Sequence, residues 1–314
     1  MTPLSPKDFS MPLEGLDHLP QGKRREIDLA VKILFDSFDE AIKTRLSANR
    51  KSGRILKVVL FGSMARGDWV DDKLSGFKSD IDLLVVVNTH TFTELHEYWH
   101  GADERFVREL TITHTIDTPV NFIVHSLEDV NSELARGRPF FADIARDGIM
   151  LYEAPGHPLA KPKPLTEGEI RAEAKGYYEQ WFPDALEFLT IAAFCRDRGN
   201  LKLAAFNLHQ AVERSYHCLL LVLSLYSPKS HRITLLRSQA EALDDRLKVV
   251  WPRDNRLHRQ AFDRLRRAYV EARYSAEYAV TAEELAWLVE RVGSLQAIVK
   301  TICEERLAEN PLHD

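Results

Sequence analysis

Residues 55–87, ILKVVLFGSMARGDWVDDKLSGFKSDIDLLVVV, decide the fold. The stretch reads as an apolar strand, a glycine-serine turn, a polar spacer and a second apolar strand opened by two aspartates. Asp80 and Asp82 stand at i and i+2, so on a strand both carboxylates leave the same face and converge where divalent metals sit. Gly62 lets backbone approach a phosphate with no side chain in the way. The amides at a helix start, together with the Ser63 hydroxyl, donate to phosphate oxygens. Arg66, one helical turn on, is placed to add a cation. The pattern as a whole points to a metal-bound nucleoside triphosphate. The plainer alternative is that the aspartates only cap a strand.

Outward from this stretch, Ile27, Leu29, Ala30, Ile33, Leu34, Phe38, Ile42 and Leu46 recur at helical spacing and predict a long helix from Lys23 to about Ala48. Residues 1–20, with four prolines and no period, read as an arm laid over the surface. Val120–Val124 is a third strand candidate, and an amphipathic segment over 91–110 precedes it. Helices covering a small mixed sheet are expected.

The segment EAPGHPLAKPKPLT, residues 153–166, holds four prolines and one glycine and has no periodicity, which marks an interdomain connection. The expected division is a first domain over 1–155, a linker over 156–166 and an all-helical domain over 167–314. In the last, Ala204, Ala205, Leu208, Ala211, Val212, Ser215, Leu219 and Val222 form one apolar stripe of a helix over 200–226. Phe262, Leu265, Tyr269, Ala272 and Ala276 form another, and residues 285–307 close the bundle. The fold class expected is α+β.

Composition narrows the function. Hydrophobic residues at 45% and charged residues at 28% are globular values. The net charge of −5 is uneven: residues 1–155 carry 19 basic and 25 acidic side chains, against 23 and 22 over 156–314. The acidic half suits a metal site, and neither half is basic enough to bind nucleic acid by bulk charge. Cys195, Cys218 and Cys303 are odd in number and widely spaced, which argues for a reducing compartment. No apolar run is long enough to cross a bilayer, and no basic-then-apolar leader opens the chain. A cytoplasmic protein with no membrane contact is the expectation.

LFGSMARGD at 60–68 followed by SDIDLLVVV at 79–87 resembles the minimal nucleotidyltransferases of the polymerase-beta superfamily, and GRPFFADIARDGIMLYE at 137–153 is also similar to members of this group. The resemblance implies Asp80 and Asp82 as catalytic metal ligands for Mg²⁺ or Mn²⁺. It implies Gly62 and Ser63 as binders of the triphosphate of ATP or another nucleotide. The chain departs from the family at two places. The 16-residue spacer between Ser63 and Asp80 is long, and Trp69, Asp71, Asp72 and Lys73 are expected in a surface loop. The later strand, VNFIV, carries Asn121 where the family has a third carboxylate. Either Asp117, Glu128 or Asp129 substitutes, or the site binds nucleotide with reduced or no transfer.

AAFNLHQAVERSYHCLLLVLSLYSPKSHRI at 204–233 and LRRAYVEARYSAEY at 265–278 resemble the HEPN family, an up-and-down helical bundle found beside such nucleotidyltransferases. Active members are ribonucleases with an arginine followed by a histidine; here Arg273 takes the arginine's place and Tyr278 the histidine's. Tyrosine, with a pKa of about 10, is a poor base at neutral pH. The two positions also lie roughly 140° apart on an ideal helix. Arg253 and His258 meet the spacing literally but follow Pro252 at a helix start. Arg259, Arg266 and Arg273 recur seven residues apart as a cationic flank, either solvated or facing an anionic partner such as RNA. His209, Glu213 and His217 share a helix face, as a metal ladder or as a buried polar network.

Three functions follow. The first is transfer of AMP from ATP to an acceptor hydroxyl or phosphate on a small molecule, a protein tyrosine (Tyr274 or Tyr278 among them) or an RNA end. The second is a nucleotide-binding regulatory module that has lost transfer. The third is a HEPN ribonuclease or toxin restrained by its fused antitoxin-like domain. The resemblance to aminoglycoside enzymes implies a homodimer in which the helical domain shapes the acceptor cleft.

Overall fold

Helix α1 (Gln21–Lys43) turns its periodic apolar stripe, Ile27, Ala30, Ile33, Leu34 and Phe38, into a core. The computed structural model describes residues 15–43, 52–72, 77–252 and 254–308, so the expected continuation of this helix to about Ala48, Leu46 included, lies outside the described residues. Residues 1–14 of the expected surface arm lie outside them too. In its remainder, 15–20, Leu16 and Leu19 are buried in the same core as α1, while Gly15, Asp17, His18 and Pro20 are exposed.

Strand β1 (Ile55–Phe61) is followed by one helical turn, α2 (Ser63–Arg66), and then by β2 (Asp71–Asp72), β3 (Phe77–Lys78) and β4 (Ile81–Val87). The apolar runs of β1 and β4 are buried at every position, as β-branched runs of this length require. The expected surface loop is instead a small antiparallel ladder of β2 on β3, extended by Ser79 N–H donating to the Val70 carbonyl at 2.8 Å. Trp69 is half-buried and packs against the core, while Lys73 lies outside the described residues.

After β4, irregular helical turns lead into α3 (His100–Arg108), which supplies Ala102 and Phe106 to the α1 side of the sheet. Trp99 stacks on Phe38 there, with ring centroids 4.8 Å apart. Then come β5 (Val120–Ser126), α4 (Leu127–Ala135), α5 (Pro139–Asp147) and β6 (Ile149–Glu153). The sheet order is β5-β4-β1-β6: β4 and β5 are parallel, and β1 is antiparallel to β4 and β6. This is the small mixed sheet expected, with β6 as an additional edge strand.

The pairing register aligns side chains across three strands. Phe61, Asp82 and Asn121 form one row, Val59, Leu84 and Ile123 the next, and Lys57, Val86 and His125 a third. The aromatic rings of α5 cover this face: Phe140 meets Phe61 edge-on at 5.7 Å and Phe141 meets His125 at 5.2 Å. Lys57, fully buried, is neutralised by Glu153 on β6.

The described residues divide into two compact units between Pro164 and Leu165. The proline-rich connection is tied to the first: Ala160 N–H donates to Asn131 Oδ1 at 2.7 Å and Lys163 N–H to the Leu134 carbonyl at 3.0 Å. The second unit is all helix. α6 (Glu167–Asp197) starts with a capping box between Thr166 and Glu169. α7 (Leu201–Ser224) is central, its small-residue stripe packed against α6, and also meets α8 (Ile233–Leu243), α9 (Arg256–Tyr274) and α10 (Ala282–Ala308). Ala276, expected to extend the α9 stripe, lies beyond the helix end.

Gly148, between α5 and β6, has no room for a side chain. A Cβ there would overlap the Ile144 carbonyl oxygen and stand 2.7 Å from Val59 Cγ1. Gly148→Ala is expected to destabilise the first unit by about 1–3 kcal/mol, read as a lowered midpoint in urea unfolding.

Candidate active site

β1 ends at Phe61 and the chain turns on Gly62, whose φ of 75° and ψ of −157° belong to a region that glycine alone enters readily. A Cβ at this position would also stand 2.7 Å from Asp82 Oδ2. Glycine is therefore demanded twice, by conformation and by space, and the second demand measures how closely the carboxylate lies against the turn. α2 begins at Ser63, and a helix's first amides have no acceptor within the helix. Gly67, at φ 84°, ends it by donating its N–H to the Ser63 carbonyl at 2.9 Å. From the N-terminal segment, His18 Nε2 donates to the Met64 carbonyl at 2.8 Å and pins the turn.

Asp80 immediately precedes β4 and is half-buried; Asp82, two residues on, is buried. Strand alternation sends both to the face that Gly62 borders. Asn121 stands opposite Asp82 on β5 and donates Nδ2 to Asp80 Oδ2 at 2.8 Å and to Asp82 Oδ1 at 3.4 Å. The amide thus turns its N–H groups toward the pair. Burial, and then the charge of Asp80, push the Asp82 carboxyl up to about 8; the Asn121 hydrogen bond and the Arg66 charge oppose this. Arg66 is exposed and lies 3.3 Å from Asp68 Oδ2.

The three substitutes for a third carboxylate fare differently. Glu128 and Asp129 follow the far end of β5, whose last residue lies five steps of ~3.3 Å, roughly 17 Å, from the row of the pair. Asp129 is engaged there, closing the capping box of α4 with Ser126 and accepting from His90 Nδ1 at 2.9 Å. Asp117 is exposed and lies at the same end of β5 as Asn121. Among the described residues no group of three or more His, Cys, Asp or Glu side chains is gathered to hold a metal. The donor set of Asp80 and Asp82 fits a hard cation such as Mg²⁺, which takes oxygen ligands and keeps several waters.

In the second unit the structure separates Arg273 from Tyr278. Arg273 sits in the last turn of α9, its Nε donating to the Tyr269 carbonyl at 2.6 Å and its guanidinium 4.3 Å over the Tyr269 ring. Tyr278 lies past the helix, is 1% exposed, and donates its hydroxyl to the Arg264 carbonyl at 3.0 Å. Five residues of helix separate those two anchor points, about 7.5 Å. Burial raises the Tyr278 phenol further above its ordinary pKa, so this residue is a structural anchor and not a base. Tyr274, by contrast, is 77% exposed.

The arginine flank is partly neutralised: Arg266 Nε lies 2.9 Å from Asp263 Oδ1. Arg253 lies outside the described residues, and His258 bonds Asp254 at 2.6 Å and stacks on Trp287. Of His209, Glu213 and His217, the first two lie 3.6 Å apart, Nδ1 to Oε2, and the third bonds elsewhere. Glu213 accepts from His231 Nδ1 at 3.0 Å, and His217 bonds Ser227 at 2.6 Å. Burial holds the His209 and His217 imidazoles down to about 3 and about 4, so both are neutral. His231 reaches Glu213 from a loop, where helical periodicity gives no warning of it.

The family model described as nucleotidyltransferase domain matches residues 40–112, and the model described as HEPN domain matches residues 178–302. The first match contains Gly62, Ser63, Arg66, Asp80 and Asp82 and stops short of Asn121. The second contains Arg273 and Tyr278. Curated proteins yield no match to the chain. The protein is thus of the nucleotidyltransferase type in its first part. It joins a nucleotidyltransferase domain to a HEPN domain within one chain. Among the described residues no helix is long and apolar enough to cross a membrane.

The raised Asp82 carboxyl makes stability depend on pH. Unfolded, it titrates at its ordinary 3.8; folded, at about 8. Between these values the folded state holds a proton that the unfolded state has lost, so stability falls as pH rises through the window. Asp82→Asn removes that loss. In chelator, the variant is expected to melt increasingly above the parent protein as pH rises from 5 to 8, because each pH step of one within the window costs the parent about 1.4 kcal/mol. A melting difference that does not change with pH would contradict this.

Proposed function

We propose that the first domain, residues 1–155, transfers a nucleotidyl group, AMP from ATP before other triphosphates, to an acceptor hydroxyl or phosphate. The observation that carries this reading is the Asp80–Asp82 pair set against the Gly62–Ser63 turn. Asp80 and Asp82 would hold the divalent cation, Mg²⁺ or Mn²⁺. When bound, it offsets charge developing on the transferring phosphoryl group. The α2 amides and the Ser63 hydroxyl bind the outer phosphates, and Arg66 adds positive charge beside them. The acceptor oxygen forms its bond to the α-phosphorus as the bond to pyrophosphate breaks.

Asn121 favours a second reading, a module that binds nucleotide and regulates the HEPN domain without transfer. Tight ATP binding without pyrophosphate release would be its signature. The ribonuclease reading loses its Arg273–Tyr278 pair, since Tyr278 is buried and engaged elsewhere. Among the two tyrosines weighed as protein acceptors, only Tyr274 is accessible.

Incubation with labelled ATP, Mg²⁺ and candidate acceptors tests the proposal. Label is expected on an acceptor, with intact mass reporting any AMP added to the protein itself. The double substitution Asp80→Ala/Asp82→Ala is expected to lower labelling by about 100-fold or more. Equal labelling by both proteins would overturn the reading.

A further inference from the structure

Residues 226–232, between α7 and α8, fold back on α7 and rest on two buried imidazoles. Ser227 Oγ lies 2.6 Å from His217 Nδ1, and the Ser230 backbone faces the same ring. The His231 backbone faces the ring of His209. The His231 side chain donates Nδ1 to Glu213 Oε1 at 3.0 Å and stacks on Tyr269 of α9, with ring centroids 4.2 Å apart. His209, Glu213 and His217 are all buried, and the chemistry proposed for the first domain uses none of them.

The surroundings of the two rings do not suit a cation. Around His217 stand Trp181 of α6, its ring 5.3 Å away, and two basic groups, Arg214 on α7 and His231 in the loop. The nearby carboxylate of Asp184 lies 3.8 Å from Arg214. Around His209 stand Gln210 and Glu213 on α7, Tyr269 and Arg273 on α9, and His231. Glu213 lies 3.6 Å from His209 Nδ1 and gives its closer bond to His231. His209 Nε2 has no hydrogen-bond partner among the described residues, so a proton placed there would be buried unmet.

Burial first, and then these neighbours, hold His217 down to about 4 and His209 to about 3. A hydrated imidazole titrates at about 6.5. Between these values an uncovered ring binds a proton that the covered ring refuses, so each step down in pH favours uncovering. Glu213 works the other way, because burial raises its carboxyl and the closed form takes up its proton more readily. Two imidazoles against one carboxyl leave uncovering ahead. α7 packs against α6, α8, α9 and α10, so the loop is the part able to yield.

We propose that residues 226–232 are an acid-released clasp: closed, they keep His209 and His217 covered and uncharged on α7, and protonation of these rings frees the loop and bares that face. The clasp belongs to the second domain and does not depend on nucleotidyl transfer.

A nitroxide attached to Lys229→Cys tests this in the full chain, since Lys229 is exposed and Cys195, Cys218 and Cys303 are buried. The spectrum of an immobile label is expected at pH 7.5. Below pH 6.5 the ratio of mobile to immobile label is expected to grow about 10-fold per pH step while the helical circular dichroism stays constant. With His209→Gln/His217→Gln added, the label is expected to stay immobile down to pH 5. A label that loosens only where the helical signal is lost would overturn the proposal, and so would equal loosening in the His209→Gln/His217→Gln chain. The comparison of label mobility with helical signal in the singly substituted chain decides the matter even if the glutamine variant folds poorly.

Discussion

The first domain is organised by a carboxylate held where a carboxylate is costly. Asp82 is buried between Phe61 and Asn121, against the backbone of Gly62, with Asp80 beside it. An unpaired charge there would be expensive, and the surroundings answer in two ways: the amide of Asn121 donates to the pair, and the carboxyl gives up its charge more readily than usual. β1 and β4 are buried along their whole length, so the register that aligns Phe61, Asp82 and Asn121 cannot slip without exposing an apolar strand face. The site is therefore only as well placed as β1 and β4 are rigid, and both are buried at every position.

The strands that carry the site were legible because burial on both faces demands an uninterrupted β-branched run, and 55–61 and 81–87 have one. The turn was legible only in conjunction, because Gly-Ser by itself is a weak signal and gains meaning from the apolar strand before it, Arg66 after it and the Ser-Asp-Ile-Asp that opens the next strand. β6 was less so: of Ile149–Glu153 only Leu151 is buried, and an edge strand with one buried side chain carries little pattern. The ladder of β2 on β3 is two residues long on each side and has no pattern at all. The distances that decide chemistry were not in the sequence. Asp117, Glu128 and Asp129 are comparably close to Asn121 in number, yet the parallel pairing of β5 with β4 sends the last two to the opposite end of the sheet. Direction of travel along a strand, and not sequence separation, settled which acid is near.

The helical domain shows the same limit from another side. Its stripes were readable from spacing, since α7 buries Ala204, Ala205, Leu208, Ala211, Val212, Ser215, Leu219 and Val222 as the period requires. Its polar chemistry was not, because that depends on residues just past helix ends. Tyr278 follows α9 and folds back so that its hydroxyl satisfies the Arg264 carbonyl, and His231 precedes α8 and reaches the buried Glu213. Both are loop residues acting on helices they do not belong to.

Placing Tyr278 in the core also changes what Arg273 is for. With Tyr278 anchored elsewhere, the guanidinium lies against three aromatic rings: Tyr269 at 4.3 Å, Tyr274 at 5.0 Å and Phe206 at 5.3 Å. Such contacts hold a cation by ring faces and a backbone carbonyl without neutralising it. The positive charge is thereby kept at the end of α9, beside the exposed Tyr274, while Arg266 about two turns earlier has its charge met by Asp263. The stripe of arginines that reads as uniform in sequence is thus graded in the fold, met by carboxylate at its middle and by aromatic rings at its end. An anion drawn to this flank would compete with Asp263 at the middle of the helix, and at its end would meet a guanidinium held by rings, next to the tyrosine hydroxyl.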